Sequence, residues 1–444
     1  MKRKVIAGFI LGLTAMAVVP TAMAEANLED RVKQMEAELS TLKALIQKQN
    51  EQNKSDITAI ETTIENKTAA AEVAQSNLIT SKDTTLAYGG FIKVDGMWND
   101  YSDGPRPGNI GDEILVPSTI PIGGEGEGAQ FDSHIKTSRV FFKTATDTDV
   151  GKIKTHFELD LLTGSGDERI SNSATSRVRH AYVAWDYATD ASLLVGQSWS
   201  TFFNVGALPE AVEFIGPTSG SVFNRQTQIR WTKKMGSNSF MFALENPSTS
   251  LADAGSGIAA SNFDDNSIPD IIARYNGNSG AHSWALSAMG REIGIDDGLL
   301  DESDFGLAIN LAGKIMLSNG DDIKYSLASG NLGRYIALNA FRDGGIDAAG
   351  NLDLTTVTGG YVAYRHHWND KMRSTFQYAL STASLADGLA DSNTETVENF
   401  NVNLFYSPSP KLSFGGAIIA ASRELENGAS GDLTRIQLMT KYAF

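Results

Sequence analysis

Arg435-Ile436-Gln437-Leu438-Met439-Thr440-Lys441-Tyr442-Ala443-Phe444 ends the chain. Ile436, Leu438, Tyr442 and Phe444 share one parity, and Arg435, Gln437 and Lys441 share the other. Period-two alternation sorts these sets onto opposite faces of a β-strand. The stretch therefore predicts a last strand with one apolar and one charged face.

The N-terminus says where such a strand belongs. Lys2, Arg3 and Lys4 precede an uncharged, mostly apolar run from Val5 to Val19, and Ala22-Met23-Ala24 follows as an A-x-A site. This pattern predicts a signal peptide over residues 1–24. The run is too short for a spanning helix, which needs about 20 residues. Cleavage would leave 420 residues, and the loss of the three basic residues would move the formal charge from −16 to −19. After residue 24 no long apolar run remains, so helical membrane spans are excluded. A final aromatic, with a second two residues earlier, has the form of the C-terminal signal of outer-membrane barrels. Together the two ends predict the Gram-negative outer membrane.

Working backward from the C-terminus, the period of two persists to Leu86. Strands are expected near 86–98, 131–146, 151–163, 176–186, 191–199, 222–232, 238–246, 269–276, 281–291, 303–316, 321–330, 354–366, 371–381, 396–407, 411–423 and 433–444. Short gaps such as Thr146-Asp147-Thr148-Asp149, Ser318-Asn319-Gly320 and Ser407-Pro408-Ser409-Pro410 carry turn chemistry. Longer gaps, beginning with 99–130, are rich in Gly, Asp, Asn and Ser. An even strand number with alternating short and long connections predicts an all-β fold, a 16-stranded antiparallel transmembrane β-barrel over 86–444. In the third strand Ile153, Phe157, Leu159 and Leu161 oppose Lys152, Lys154, His156, Glu158 and Asp160. So charged a face suits the lining of a water-filled channel.

Upstream of the barrel the period differs. Leu28, Val32, Met35, Leu39, Leu42 and Ile46 step by 4, 3, 4, 3, 4, a heptad seam. The next seam residues, Ile57, Ile60 and Ile64, follow after a stutter of eleven. No Gly or Pro occurs between residues 25 and 88, and the helical pattern reaches residue 78. An N-terminal α-helical coiled coil in the periplasm is expected over 25–80, about 75 Å long if continuous.

Composition excludes much else. So acidic a chain is a poor nucleic-acid binder. With no Cys there is no disulfide framework and no thiol nucleophile. Gly196-Gln197-Ser198-Trp199-Ser200 lacks the last Gly of a nucleophile elbow, so an enzyme is not expected. The adjacent His366 and His367 point to opposite faces of a strand and cannot chelate one metal there. Asp264-Asp265-Asn266 and Asp343-Gly344-Gly345-Ile346-Asp347 lack a full calcium-loop pattern and read as solvated loops. No cofactor or metal is implied.

The basic residues are more informative. Arg177 and Arg179 share a face, as do Arg139 and Lys143, and Arg230 shares one with Gln226 and Gln228. With Val178, Tyr182 and Ala184 toward lipid, the arginines would project into the lumen. Guanidinium forks match carboxylates bidentately, so such a stripe would favour anions. The alternative is charge pairing with an in-folded constriction loop, 200–221, through Glu210 and Glu213.

Leu194-Val195-Gly196-Gln197-Ser198-Trp199-Ser200-Thr201-Phe202, Pro209-Glu210, Phe214-Ile215-Gly216-Pro217 and Arg225-Gln226-Thr227-Gln228-Ile229-Arg230-Trp231 resemble the DcaP-like porins. Val116-Pro117-Ser118-Thr119-Ile120-Pro121 and the heptad segment resemble them too. The resemblance implies a homotrimeric sixteen-stranded channel for small organic anions, dicarboxylic acids in particular. It also implies that Arg139, Arg177, Arg179 and Arg230 line the pore. A non-selective porin and an envelope-tethering protein with a barrel anchor are the competing expectations.

Overall fold

The computed structural model describes residues 76–444, apart from 82, 109, 164–170, 173, 254–260, 264, 297, 299 and 387–388. The expected signal peptide and nearly all of the expected coiled coil lie outside the described residues.

Alternating side chains and tight turns give sixteen barrel strands. They are β1 Thr84–Tyr101, β2 in two pieces (Gln130–His134 and Arg139–Thr148), β3 Gly151–Thr163, β4 Thr175–Ala188 and β5 Ala191–Trp199. Next come β6 Arg225–Met235, β7 Asn238–Glu245, β8 Asp270–Ser279, β9 His282–Asp296 and β10 Asp301–Met316. The last six are β11 Asp322–Gly330, β12 Thr356–Asn369, β13 Met372–Ser384, β14 Thr394–Ser409, β15 Leu412–Leu425 and β16 Ser430–Ala443. Every neighbour in this order pairs antiparallel, and β16 closes on β1 from Phe91↔Ala443 to Tyr101↔Leu433. Closure removes the sheet edges, a requirement for backbone placed in lipid. Phe444, just past the last strand, donates its backbone N–H to the Gly90 carbonyl.

One boundary is corrected. Ser76–Ser81, at the end of the segment expected to be helical, is a short strand paired with Thr84–Gly89 of β1. β16 ends at Phe91, so the N-terminal half of β1 has a free side there, and the hairpin at Asp83 fills it.

The outer face is apolar. Ile92, Val94 and Trp98 on β1, Leu307, Ile309 and Leu311 on β10, and Ile436, Leu438 and Tyr442 on β16 are all exposed. Their strand neighbours Asp95, Asn99, Asn310, Arg435 and Gln437 are buried inside. In water such a surface would be a severe liability; against lipid it is the expected one.

The facing in β4 departs from the sequence reading. A β-bulge makes Arg179 an extra residue between Glu158↔His180 and Leu159↔Val178. Parity therefore reverses after Arg179. Val183, Trp185 and Tyr187 face outward, whereas the Tyr182 ring meets His156 and His180. Tyr182 and Ala184 are thus not the lipid-facing pair that strict alternation suggests.

Two long connections fold inward. Residues 200–224, between β5 and β6, cross the lumen to the far wall. Phe202, Phe203 and Val222 join Tyr335, Ile336 and Phe341 of the 331–355 connection in an apolar cluster. That cluster lies on Ile272, Met289, Ala308, Ala328, Val357, Ala383 and Val397 of β8 to β14. Gly220 makes the approach possible: a Cβ there would sit 1.9 Å from the Gly360 carbonyl oxygen.

Candidate functional site

The 200–224 connection is fixed at both sides of the lumen. Asn204 Oδ1 and the Phe203 carbonyl accept from Arg274 of β8, at 2.9 and 2.8 Å. Farther along, Lys324 donates to the Leu208 carbonyl and Lys93 to the Val212 carbonyl, both at 2.7 Å. Asn399 and Ser381 hold Gly216 and Ser219 at the opposite wall.

Glu210 is the charged tether. Arg373 Nε donates to Oε2 at 2.6 Å and Nη2 to Oε1 at 2.5 Å, a bidentate pair. Arg365 stands 4.0 Å away and is also paired with Asp322. Burial alone would raise the Glu210 carboxyl, but the hydrogen bonds and charge of Arg373, with Arg365 and Lys441, hold it below its ordinary range. A carboxyl depressed in the folded state stabilises above its unfolded pKa, about 4.3, and loses that contribution as pH falls through the folded value. The tether should therefore persist from pH 7 to pH 5 and loosen only in stronger acid. Single-channel recordings should show constant open-state noise over that range and flicker only at pH below the ordinary glutamate range; Glu210→Gln should flicker already at pH 7.

Glu213 does something else. Its Oε2 accepts from the backbone N–H of Ile215 and Gly216, at 2.6 and 2.7 Å, and Oε1 accepts from Leu115 N–H at 3.0 Å. It buckles its own loop and joins it to the 102–129 connection. The expectation that Glu213 pairs with the lumen arginines is not met; it closes a turn instead.

The turn presents Phe214 to a group of arginines. The guanidinium carbons of Arg139, Arg179 and Arg177 lie 5.8, 5.9 and 6.0 Å from its ring centroid. Arg179 also lies 5.6 Å from Trp199, and Arg225 lies 4.4 Å from Trp199 and 5.5 Å from Phe223. Two carboxylates face them from β3. Arg177 forks onto Asp160 through Nε at 3.0 Å and Nη2 at 2.8 Å. Arg179 bridges Glu158 at 2.6 Å and Asp160 at 2.9 Å. Arg139 and Arg225 have no ion pair among the described residues, and Arg139 Nε and Arg225 Nη1 are buried without a hydrogen-bond acceptor. Among the described residues, four guanidinium groups thus meet two carboxylates.

Of the residues expected at the pore, the structure brings Arg139, Arg177 and Arg179 together. Arg230 lies apart, near Glu245 and Arg274, with its Nε unpartnered. Lys143 stands 5.0 Å from the Phe141 ring. Of the lumen acids, Asp95 is neutralised by Lys93 at 2.8 Å and further held by Thr137 and Gln437. Arg225 was not legible from alternation, because it is the first residue of its strand and shares parity with the outward Ile229 and Trp231. Its nearness to Trp199, Phe223 and the 194–202 block was the available signal.

A closed sixteen-stranded barrel, apolar outside, charged inside and crossed by an in-folded loop, is an outer-membrane channel of the porin class. The chain belongs to the DcaP outer membrane protein family, whose profile matches residues 18–444. The outer membrane channel DcaP of Acinetobacter baumannii superposes with a TM-score of 0.69 at 19% identity, over 82% of this chain and 99% of that one. An anion-selective porin from Comamonas acidovorans gives 0.52 at 10% identity, over 82% and 100%. OmpT of Vibrio cholerae, outer-membrane expressed, gives 0.50 at 9%, over 83% and 100%. No curated protein matches the sequence.

Proposed function

We propose that this channel carries small organic anions, dicarboxylates in particular, by passive diffusion. The supporting observation is the excess of guanidinium over carboxylate around Phe214 among the described residues, with Arg139 and Arg225 left without ion pairs there. A channel must hold its solute weakly enough to release it. Half-neutralised arginines provide attraction of that moderate kind. We also propose a homotrimer exported by the 1–24 signal peptide, with the heptad segment as a periplasmic coiled coil that ends before Ser76.

The test is planar-bilayer recording of the full chain in a tenfold KCl gradient. A reversal potential of anion-selective sign is expected, together with block of ion current by succinate. Both should weaken as salt rises, since the Debye length shrinks from about 10 Å at 0.1 M to about 3 Å at 1 M. A reversal potential near zero and no succinate block would make this a general diffusion porin. Crosslinking should give three-chain species; dimers alone would overturn the trimer.

A further inference from the structure

The arginines of the constriction pose a problem of like charge. Arg139, Arg177, Arg179 and Arg225 crowd one sector of the wall, where Glu158 and Asp160 balance only two of them. Arg177 and Arg179 converge on Asp160; unconstrained, Arg139 and Arg225 would splay toward solvent or crowd onto the same carboxylates, and the excess charge would be lost. What stands among them is an aromatic series: Phe214, Phe223 and Trp199 are in successive ring contact, at 5.7 and 4.8 Å. Each arginine of the group lies over at least one of these rings. A ring face attracts a guanidinium yet accepts none of its in-plane N–H hydrogen bonds. It can therefore fix a cation without neutralising it.

Phe214 is the one shared by three of the four, and it comes from the loop, not from the wall. We propose that Phe214 is a specificity-determining residue of the channel: its ring holds the unpaired Arg139 beside Arg177 and Arg179, which converge on Asp160, so the anion preference depends on how the loop is seated. This rests on the anion-selective reading above. Glu213 is the positioning residue behind it. Its carboxylate ties the N–H groups of Ile215 and Gly216 on one side and Leu115 on the other, setting the turn that carries Phe214. The 102–129 connection is thereby linked through one carboxylate to the charge pattern of the pore.

Phe214→Leu keeps bulk and removes the ring face; Phe214→Tyr keeps the face. Both would be recorded as full-length protein in bilayers at 0.1 M and 1 M KCl, with the heat-modifiable oligomer checked on gels. Phe214→Leu should lower the anion-over-cation permeability ratio about two- to fivefold at low salt, and weaken succinate block in parallel. Phe214→Tyr should keep both near wild type. A packing role alone would change conductance or noise without this split between Leu and Tyr. If Phe214→Leu does not assemble, Phe214→Met serves in its place, with the same loss expected. An anion-selective wild type whose ratio and block are unchanged by Leu or Met overturns the role of Phe214 alone. A wild type without anion preference overturns the functional reading itself.

Discussion

Arg177→Ala combined with Arg179→Ala should abolish the anion preference of the channel and leave it neutral or cation-selective. The double change removes two guanidinium groups and at the same time bares two carboxylates. Asp160 loses its fork from Arg177 and its bond from Arg179, and Glu158 loses Arg179. Arg139 and Arg225 would then face Glu158 and Asp160 with no net charge. A unit charge about 8 Å from a permeating ion contributes roughly 0.5 kcal/mol in bulk water and about 2 kcal/mol at an effective dielectric near 20. Two of them amount to about 1 to 4 kcal/mol, and each 1.4 kcal/mol is tenfold in permeability ratio at low salt. Adding Glu158→Gln and Asp160→Asn to the double variant should remove any cation preference. Arg230→Ala, which touches none of these groups, should have a much smaller effect. If the folded double variant matches wild type in reversal potential and succinate block, the arginines are structural and the channel is a general porin.

That contrast also marks how far the sequence could be read. All sixteen strands and the alternation of short and long connections were legible, because lipid on one side and charge on the other impose a strict period of two. The same rule failed at Arg179. A bulge is one inserted residue, and nothing in the local text Arg177-Val178-Arg179-His180 distinguishes it from a regular strand. The consequence was the misplacement of Tyr182 and Ala184. The site was legible by composition, since arginines of lumen parity stood out, but not by partnership. Which carboxylate each arginine takes depends on cross-strand register, and the role of Glu213 depends on a loop conformation with no period at all. Arg225 escaped because the expected strand 222–232 gave it the outward parity of Ile229 and Trp231, whereas the observed strand begins only at Arg225. Arg230 was grouped with the others by parity and by the family resemblance, whereas its position along β6 puts it beside Glu245 and Arg274.

The largest expected loss of stability lies away from the pore arginines, at Arg291. This side chain of β9 is fully buried, as are Asp343 and Asp270. Nη1 donates to Asp343 Oδ1 at 2.5 Å, and Nη2 donates to Asp343 Oδ2 at 3.2 Å and to the Ser248 carbonyl at 2.7 Å. Asp343 also accepts from the N–H groups of Ser250 and Arg334. Asp270 accepts from Tyr335 at 2.6 Å and Arg334 at 2.8 Å, with Arg291 Nε 3.7 Å away. The network thus clamps the 246–269 and 331–355 connections to the wall, and the second of these carries the apolar cluster against which Phe202 and Val222 rest. Removing one partner of a buried ion pair strands the other's charge, at a cost of about 3 to 5 kcal/mol, whereas replacing both by neutral groups is far less harmful. Arg291→Met should accordingly lower the urea midpoint of the detergent-solubilised barrel and open the 331–355 connection to protease. Arg291→Met with Asp343→Asn should recover a large part of both. The comparison discriminates, because a simple loss of packing would make the double variant worse than the single one. A single variant with an unchanged midpoint and an intact 331–355 connection would show that the clamp contributes nothing, and that the apolar cluster alone seats the inward-folded connections.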